Sequence, residues 1–182
     1  MDGDAYTVNR VNGGSQYETS DGSGWEEWLA RQAPRLLLFA RQQSRCEADA
    51  HELVQDAIVE AWRGQVNGAP PAPALVFRLI RCRAIDLARR NDRRQIREAT
   101  AQPAGAPAWF APEIEDRERA RLLQAALARL PAAQRDVVTL KIWGDLTFAE
   151  IATALDIPAN TAASRYRYAL EALRNLRKEE FV

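Results

Sequence analysis

Apolar residues recur along most of this chain at intervals of three and four, the period that puts one face of an α-helix against a core. From Trp25 the positions Trp28, Leu29, Ala33, Leu36, Leu37 and Ala40 predict a first helix, with Pro34 bending or restarting it. Between about Ala48 and Arg63 the stripe Ala50, Leu53, Val54, Ala57, Ile58, Ala61 and Trp62 predicts a second helix, its carboxylates and Gln55 lying off the stripe. Gly and Pro then crowd into Gln65 to Ala74, which has to be a loop. A third helix runs from Leu75 to about Arg90, with Leu75, Leu79, Cys82, Ile85 and Leu87 or Ala88 at helical spacing and the basic residues on the remaining faces.

The pattern breaks across 98–112, an Ala/Pro stretch in which Trp109 and Phe110 suggest a tethering contact, and the domain boundary belongs there. Beyond it an amphipathic helix is predicted from about Glu113 to Leu130. Pro131 opens another, carrying Val137, Val138, Leu140, Ile142 and Trp143 and ended by Gly144. Thr147 and Glu150 then form a capping-box pattern in front of Ile151, Ala152 and Leu155. Asp156 occupies a tight turn that needs left-handed backbone, and Pro158 precedes a last helix lined by Ala162, Tyr166, Ala169, Leu170, Leu173 and Leu176. The expected architecture is all-α. It has a disordered tail (1–24), a helical domain (25–97), a flexible linker (98–112) and a second helical domain (113–182), each domain with its own compact, Leu-rich core.

Composition narrows the function classes. No apolar run approaches the ~18 residues of a membrane span, and the start MDGDAYTVN lacks the basic and apolar regions of a secretory signal, so a cytoplasmic protein is the default. Cys46 and Cys82 stand apart with a single histidine, His51, which makes neither a zinc-ligand pattern nor a disulfide framework. Both thiols read as small buried hydrophobes, and His51 as a solvated or capping side chain. With no nucleophile, base and orienting group in view, an enzyme is the weakest reading, and no metal or cofactor is called for.

The formal net charge of zero hides opposite segments. Arg78 to Arg97 holds eight arginines against Asp86 and Asp92, whereas Arg45 to Glu60 holds five carboxylates against Arg45. Such asymmetry suits a protein that meets a polyanion with one face and a basic protein surface with another; pairing of the two segments with each other is the alternative. Two short helices joined at Asp156, the second presenting Asn160, Ser164, Arg165, Arg167 and Tyr168, form a helix-turn-helix signature. In a major groove Asn160 can pair with adenine, and Ser164 and Arg167 can reach bases or phosphates. Arg165, Arg174, Arg177 and Lys178 would neutralise phosphate. The basic third helix alone stays open between a solvated face, a protein-binding face and a phosphate track.

Taken in order, these segments resemble the sigma-70 family in its small extracytoplasmic-function (ECF) type, over about Trp25 to Arg177. DAHELVQDAIVEAWR at Asp49 to Arg63 is similar to the family's region 2.2. The resemblance implies that Glu52, Leu53, Gln55, Asp56 and Glu60 dock on the β′ clamp helices of core RNA polymerase. LVFRLIRCRAIDLARRNDRR at Leu75 to Arg94 resembles regions 2.3 and 2.4, which implies that Arg78, Arg81, Arg83, Arg89, Arg90, Arg93 and Arg94 meet the -10 element of promoter DNA. Leu75 stands where Trp is common and Cys82 where Asn is usual. The segment from Leu130 to Leu173 is similar to region 4, which implies -35 contacts by Asn160, Thr161, Ser164, Arg165, Arg167, Tyr168, Arg174 and Lys178. Asp156 replaces the usual turn Gly, and Ala162 and Ala163 stand where Val and Lys are frequent. The implied partners are core polymerase, promoter DNA and, in some members, an anti-sigma factor. The rivals are a stand-alone helix-turn-helix regulator and a sigma-like adaptor that binds protein only. From Gln65 to Val76 there is no aromatic ring to stack an extruded base, so a weak or selective melter of the -10 element is expected. Phe77 is the nearest ring, on a position that also suits the core.

Overall fold

A computed structural model describes residues 22–65, 69–97, 107–110 and 117–180, the side chains of 22–23, 92–97 and 177–180 excepted. Most of the expected tail and linker therefore lies outside the described residues. Within them the chain is all-α: α1 (Gly22–Gln43), α2 (Glu47–Arg63), α3 (Pro73–Arg97), α4 (Arg117–Ala128), α5 (Ala132–Ile142), α6 (Phe148–Leu155) and α7 (Ala159–Glu180). α1 runs on through Pro34 as one helix and begins at Gly22, inside the stretch expected as tail.

Local chemistry sets the helix ends. Cys46 is not a buried hydrophobe: its Sγ accepts the Asp49 N–H at 3.4 Å and caps α2. α5 stops where Gly144 presses on its own preceding turn. A Cβ there would meet the Leu140 carbonyl oxygen at 2.6 Å, so only glycine fits. The chain then turns through Asp145 at φ 56°. The capping box at the start of α6 is complete: the Glu150 N–H reaches Thr147 Oγ1 at 3.3 Å, and the Thr147 N–H reaches Glu150 Oε2 at 2.7 Å. Those bonds to Thr147 hold the Glu150 carboxyl below its ordinary pKa. Asp156 ends α6 in the left-handed conformation at φ 54°, with its N–H on the Ala152 carbonyl. This is the turn expected of it in place of glycine.

α1, α2 and α3 form one cluster and α5, α6 and α7 another, but the two do not keep separate cores. Phe39, Ala57, Val76, Phe77, Ile80 and Ala84 from the first half pack in one continuous apolar cluster with Val137, Leu140, Ile151, Ala154 and Leu155 from the second, and α6 lies against α3. Sharing a core resolves the difficulty that two small domains each bury too little surface. Trp109, in the linker, is 9% exposed and packs among Leu38 of α1 and Leu127, Leu130, Val138 and Ala169 of the second half, so the tethering contact is real.

The register of α3 differs from the expected one. Val76, Phe77, Ile80 and Ala84 face inward, while Leu75, Cys82 and Ile85 are exposed. Both sets recur at helical spacing; the set that won buries an aromatic ring and two β-branched side chains, and puts small Ala84 in the shared core.

Candidate polymerase and promoter interfaces

The outer face of α2 carries Glu52, Gln55, Asp56 and Glu60, all exposed. Leu53, expected beside them, points inward at 4% exposure and supports the helix rather than offering itself to a partner. In its stead the face exposes Val59 and Trp62, the latter 56% accessible although the apolar stripe had assigned it to the core. Positions 52, 55, 56, 59 and 62 follow one another at three and four residues, so acid and apolar groups share a single surface. An exposed tryptophan next to carboxylates is the composition of a protein-binding anchor. The neighbouring Ala61 takes the core position at 2% exposure, and Trp62, about 100° further round the helix, is carried out of it.

The acidic face is not left to itself. Arg83 of α3 reaches across to Asp56 Oδ2 at 2.7 Å and Glu60 Oε2 at 2.5 Å. The internal pairing that charge asymmetry left open therefore exists at this point, and Arg83 is engaged by carboxylates rather than presented to a strand. At the start of α2, Glu47 takes a forked bond from Arg41 and lies 3.2 Å from His51, an exposed side chain. The Arg41 bonds hold the Glu47 carboxyl below its ordinary pKa.

On α3, Arg78, Arg89 and Arg90 are exposed, and Arg78 shares its face with Leu75, Cys82 and Ile85. Basic and apolar side chains thus alternate on one surface, a mixture that suits unstacked bases and phosphates together. The side chains of Arg93 and Arg94 lie outside the described ones. Arg81 turns the other way and ion-pairs with Asp136 of α5. That carboxylate is 3% exposed and also accepts Gln43 Nε2 at 2.7 Å. Burial raises the Asp136 pKa, against the pull of Gln43 and Arg81.

On α7, Asn160, Arg167, Tyr168 and Arg174 are exposed, and Thr161, Ser164 and Arg165 half-buried. The Arg167 guanidinium stacks on the Tyr168 ring at 5.1 Å, and the Ser164 hydroxyl is spent on the Asn160 carbonyl at 2.9 Å. Asn160, Ser164, Arg167, Glu171 and Arg174 fall on one face. Glu171 was not singled out from the sequence; it puts a negative charge between Arg167 and Arg174. The Lys178 side chain lies outside the described ones. Among the described residues no cluster of acid, thiol or imidazole groups could hold a metal ion, and no helix is long and apolar enough to cross a membrane.

Residues 29–94 match Sigma-70 region 2 and residues 120–173 match Sigma-70, region 4. The ECF RNA polymerase sigma factor SigL of Mycobacterium tuberculosis is 37% identical over 143 residues, 76% of this chain and 80% of its own length. The chain belongs to the sigma-70 family. It is an ECF-type sigma factor, which directs RNA polymerase to promoters. The ECF sigma factor RpoE of Cereibacter sphaeroides is 29% identical over 157 residues, 85% of this chain and 86% of that one. Two solved structures share the fold at 22% identity. CnrH, in complex with the cytosolic domain of CnrY, has a TM-score of 0.59 over 85% of this chain and 88% of that one. The sigma factor RpoE in complex with the anti-sigma factor NepR, from Bartonella quintana, has 0.60 over 85% and 96%.

Proposed function

We propose a division of labour over three surfaces: the α2 face docks core polymerase, the exposed α3 face takes the -10 element, and α7 enters the major groove at -35. The single observation that carries it is the separation of chemistry by helix. The exposed face of α2 joins carboxylates to Val59 and Trp62, whereas the exposed face of α3 joins arginine to Leu75, Cys82 and Ile85. The exposed start of α7 follows a capped helix and a left-handed turn. A stand-alone helix-turn-helix regulator leaves the α2 face without a partner. An anti-sigma protein, of the kind NepR is to its own sigma factor, is the further partner of this reading.

The polymerase reading is tested with Glu52→Lys combined with Asp56→Lys. Core polymerase retention on an affinity column is expected to fall at least about tenfold, helix content staying near that of the parent protein. Trp62→Ala is expected to lose affinity as well, since a buried aromatic anchor is commonly worth 2 kcal/mol or more. Unchanged co-purification of both variants overturns the α2 assignment.

For α7, Asn160→Ala and Arg167→Ala should each shift preference among -35 sequences, a lost base contact costing about 1–3 kcal/mol. Arg174→Ala, further along the helix and nearer the backbone, should weaken all sequences alike and lower the salt slope by about one. A binding selection on randomised -35 duplexes reads both effects. Equal changes in preference from Arg174 and Asn160 would contradict the division.

A further inference from the structure

The two halves meet through a polar cluster set in the shared core. Asp136 of α5 is held by Gln43 from the end of α1 and by Arg81 from α3. One turn further along α5, the Thr139 hydroxyl, 1% exposed, donates to Gln42 Oε1 at 2.9 Å. Every one of these bonds joins residues from opposite halves. Apart from its neighbour Arg135, the groups acting on the Asp136 carboxylate come from the other half of the chain. If the halves separate, Asp136, Thr139 and the two glutamines are released to water together, and Arg81 with them.

Reading both promoter elements demands that separation. From -35 to -10 is 25 base pairs, about 85 Å of duplex at ~34 Å per ten pairs. α6 of the helix-turn-helix lies directly against α3, and packed helices sit only about 8–10 Å apart. The chain from the end of α3 to Trp109, which the second half holds, reaches about 40 Å at ~3.3–3.6 Å per extended residue, so opened halves, with their own width added, cover the distance. A buried ion pair contributes little net stability compared with apolar packing while fixing geometry, which suits a contact that has to be specific and reversible.

We propose that the Gln43–Asp136–Arg81 cluster is a latch, which holds the two halves closed and withholds Arg81 from nucleic acid until they part. Its second clause rests on the reading of α3 as a DNA-binding helix; its first does not. The latch makes the closed form sensitive to charge at position 43, where the half-buried Gln43 side chain faces the carboxylate from the opposite half. A carboxylate there opposes Asp136, and an ammonium group pairs with it. The sign of the effect therefore follows the sign of the charge, which a merely structural glutamine would not give.

The test uses the full chain at pH 8, with small-angle X-ray scattering and with fluorescence anisotropy of a labelled random-sequence single-stranded oligonucleotide. A closed chain of this length has a radius of gyration of about 16 Å for its folded body. Gln43→Glu and Asp136→Lys are expected to raise the measured radius by roughly a quarter or more, and Gln43→Lys to leave it at the parent value or below. In the two opened variants Arg81 joins the phosphate contacts, so the slope of log affinity against log salt is expected to steepen by about 0.7, with affinity up severalfold. Helix content by circular dichroism separates opening from unfolding, and Gln43→Glu carries the test if Asp136→Lys fails to fold. An unchanged radius in Gln43→Glu overturns the latch. A larger radius with an unchanged salt slope overturns the withholding of Arg81. Absence of oligonucleotide binding in every variant overturns the α3 reading while leaving the latch standing.

Discussion

Phe77→Ala is expected to cost the protein about 3–5 kcal/mol of stability, the range for removing a buried aromatic ring. Phe77 is 1% exposed and meets Phe39, itself fully buried, edge to face with ring centroids 5.5 Å apart. Such a pair adds about 0.5–1.5 kcal/mol beyond the area it buries. Because the cluster around it contains residues of both halves, the loss is expected to appear in both when urea unfolding is followed by circular dichroism. Phe77→Leu, which keeps most of the volume, should recover more than half. The alternative is that Phe77, the first ring after the Pro/Gly loop, stacks an extruded base; Phe77→Ala would then lose -10 affinity at an unchanged urea midpoint. That outcome would overturn the placement of α3. With Phe77 in the core, and no ring from Gln65 to Val76, an unpaired base forgoes the ~1–3 kcal/mol of an aromatic platform. Leu75, Cys82 and Ile85, exposed beside Arg78, are the apolar contacts left to offset unpairing. A closely matched -10 sequence should therefore matter more here than for a protein with such a ring.

The elements were legible in the sequence where a local rule acts alone. The capping box at Thr147 and Glu150 and the left-handed turn at Asp156 need only neighbouring residues, and the structure has them as read. What escaped was settled by packing between distant segments. α3 offers two apolar registers, and its packing against α1, α2 and the distant α6 selects the one with Val76, Phe77, Ile80 and Ala84 inside. The same holds for single side chains. Arg81 and Arg83 read as equivalent to Arg78 in a basic run, yet one is taken by Asp136 and the other by Asp56 and Glu60. Cys46 carried no signal as a cap because thiols seldom serve as one, and Trp62 carried a misleading one. The two-domain reading followed from the Ala/Pro linker; a core shared across that linker depends on surface complementarity that no periodicity records.

Trp109→Ala is expected to cost a further ~3–5 kcal/mol, and its effect should fall on the second half. The ring is buried among Leu127, Leu130, Val138 and Ala169 of that half, with Leu38 of α1 as its neighbour from the first. Its backbone N–H donates to Gln124 Oε1 at 2.9 Å, and the Arg135 guanidinium lies 5.4 Å from the ring centroid. The first half holds it more lightly, through Leu38 and a 3.4 Å bond from Arg41 Nη1 to its carbonyl. When the halves part, Trp109 should therefore stay with α4, α5 and α7, as a fixed point from which the rest of the linker departs. Two measurements follow. In the parent protein, hydrogen exchange after Trp109→Ala should speed up in α4 and α5 more than in α2. In the Gln43→Glu background, where the contact with Leu38 is already lost, the same substitution should still cost most of its full value. If it costs under about 0.5 kcal/mol in both backgrounds, the linker is not anchored at this residue. If the cost disappears only in the opened background, Trp109 belongs to the closed contact between the halves rather than to the second half.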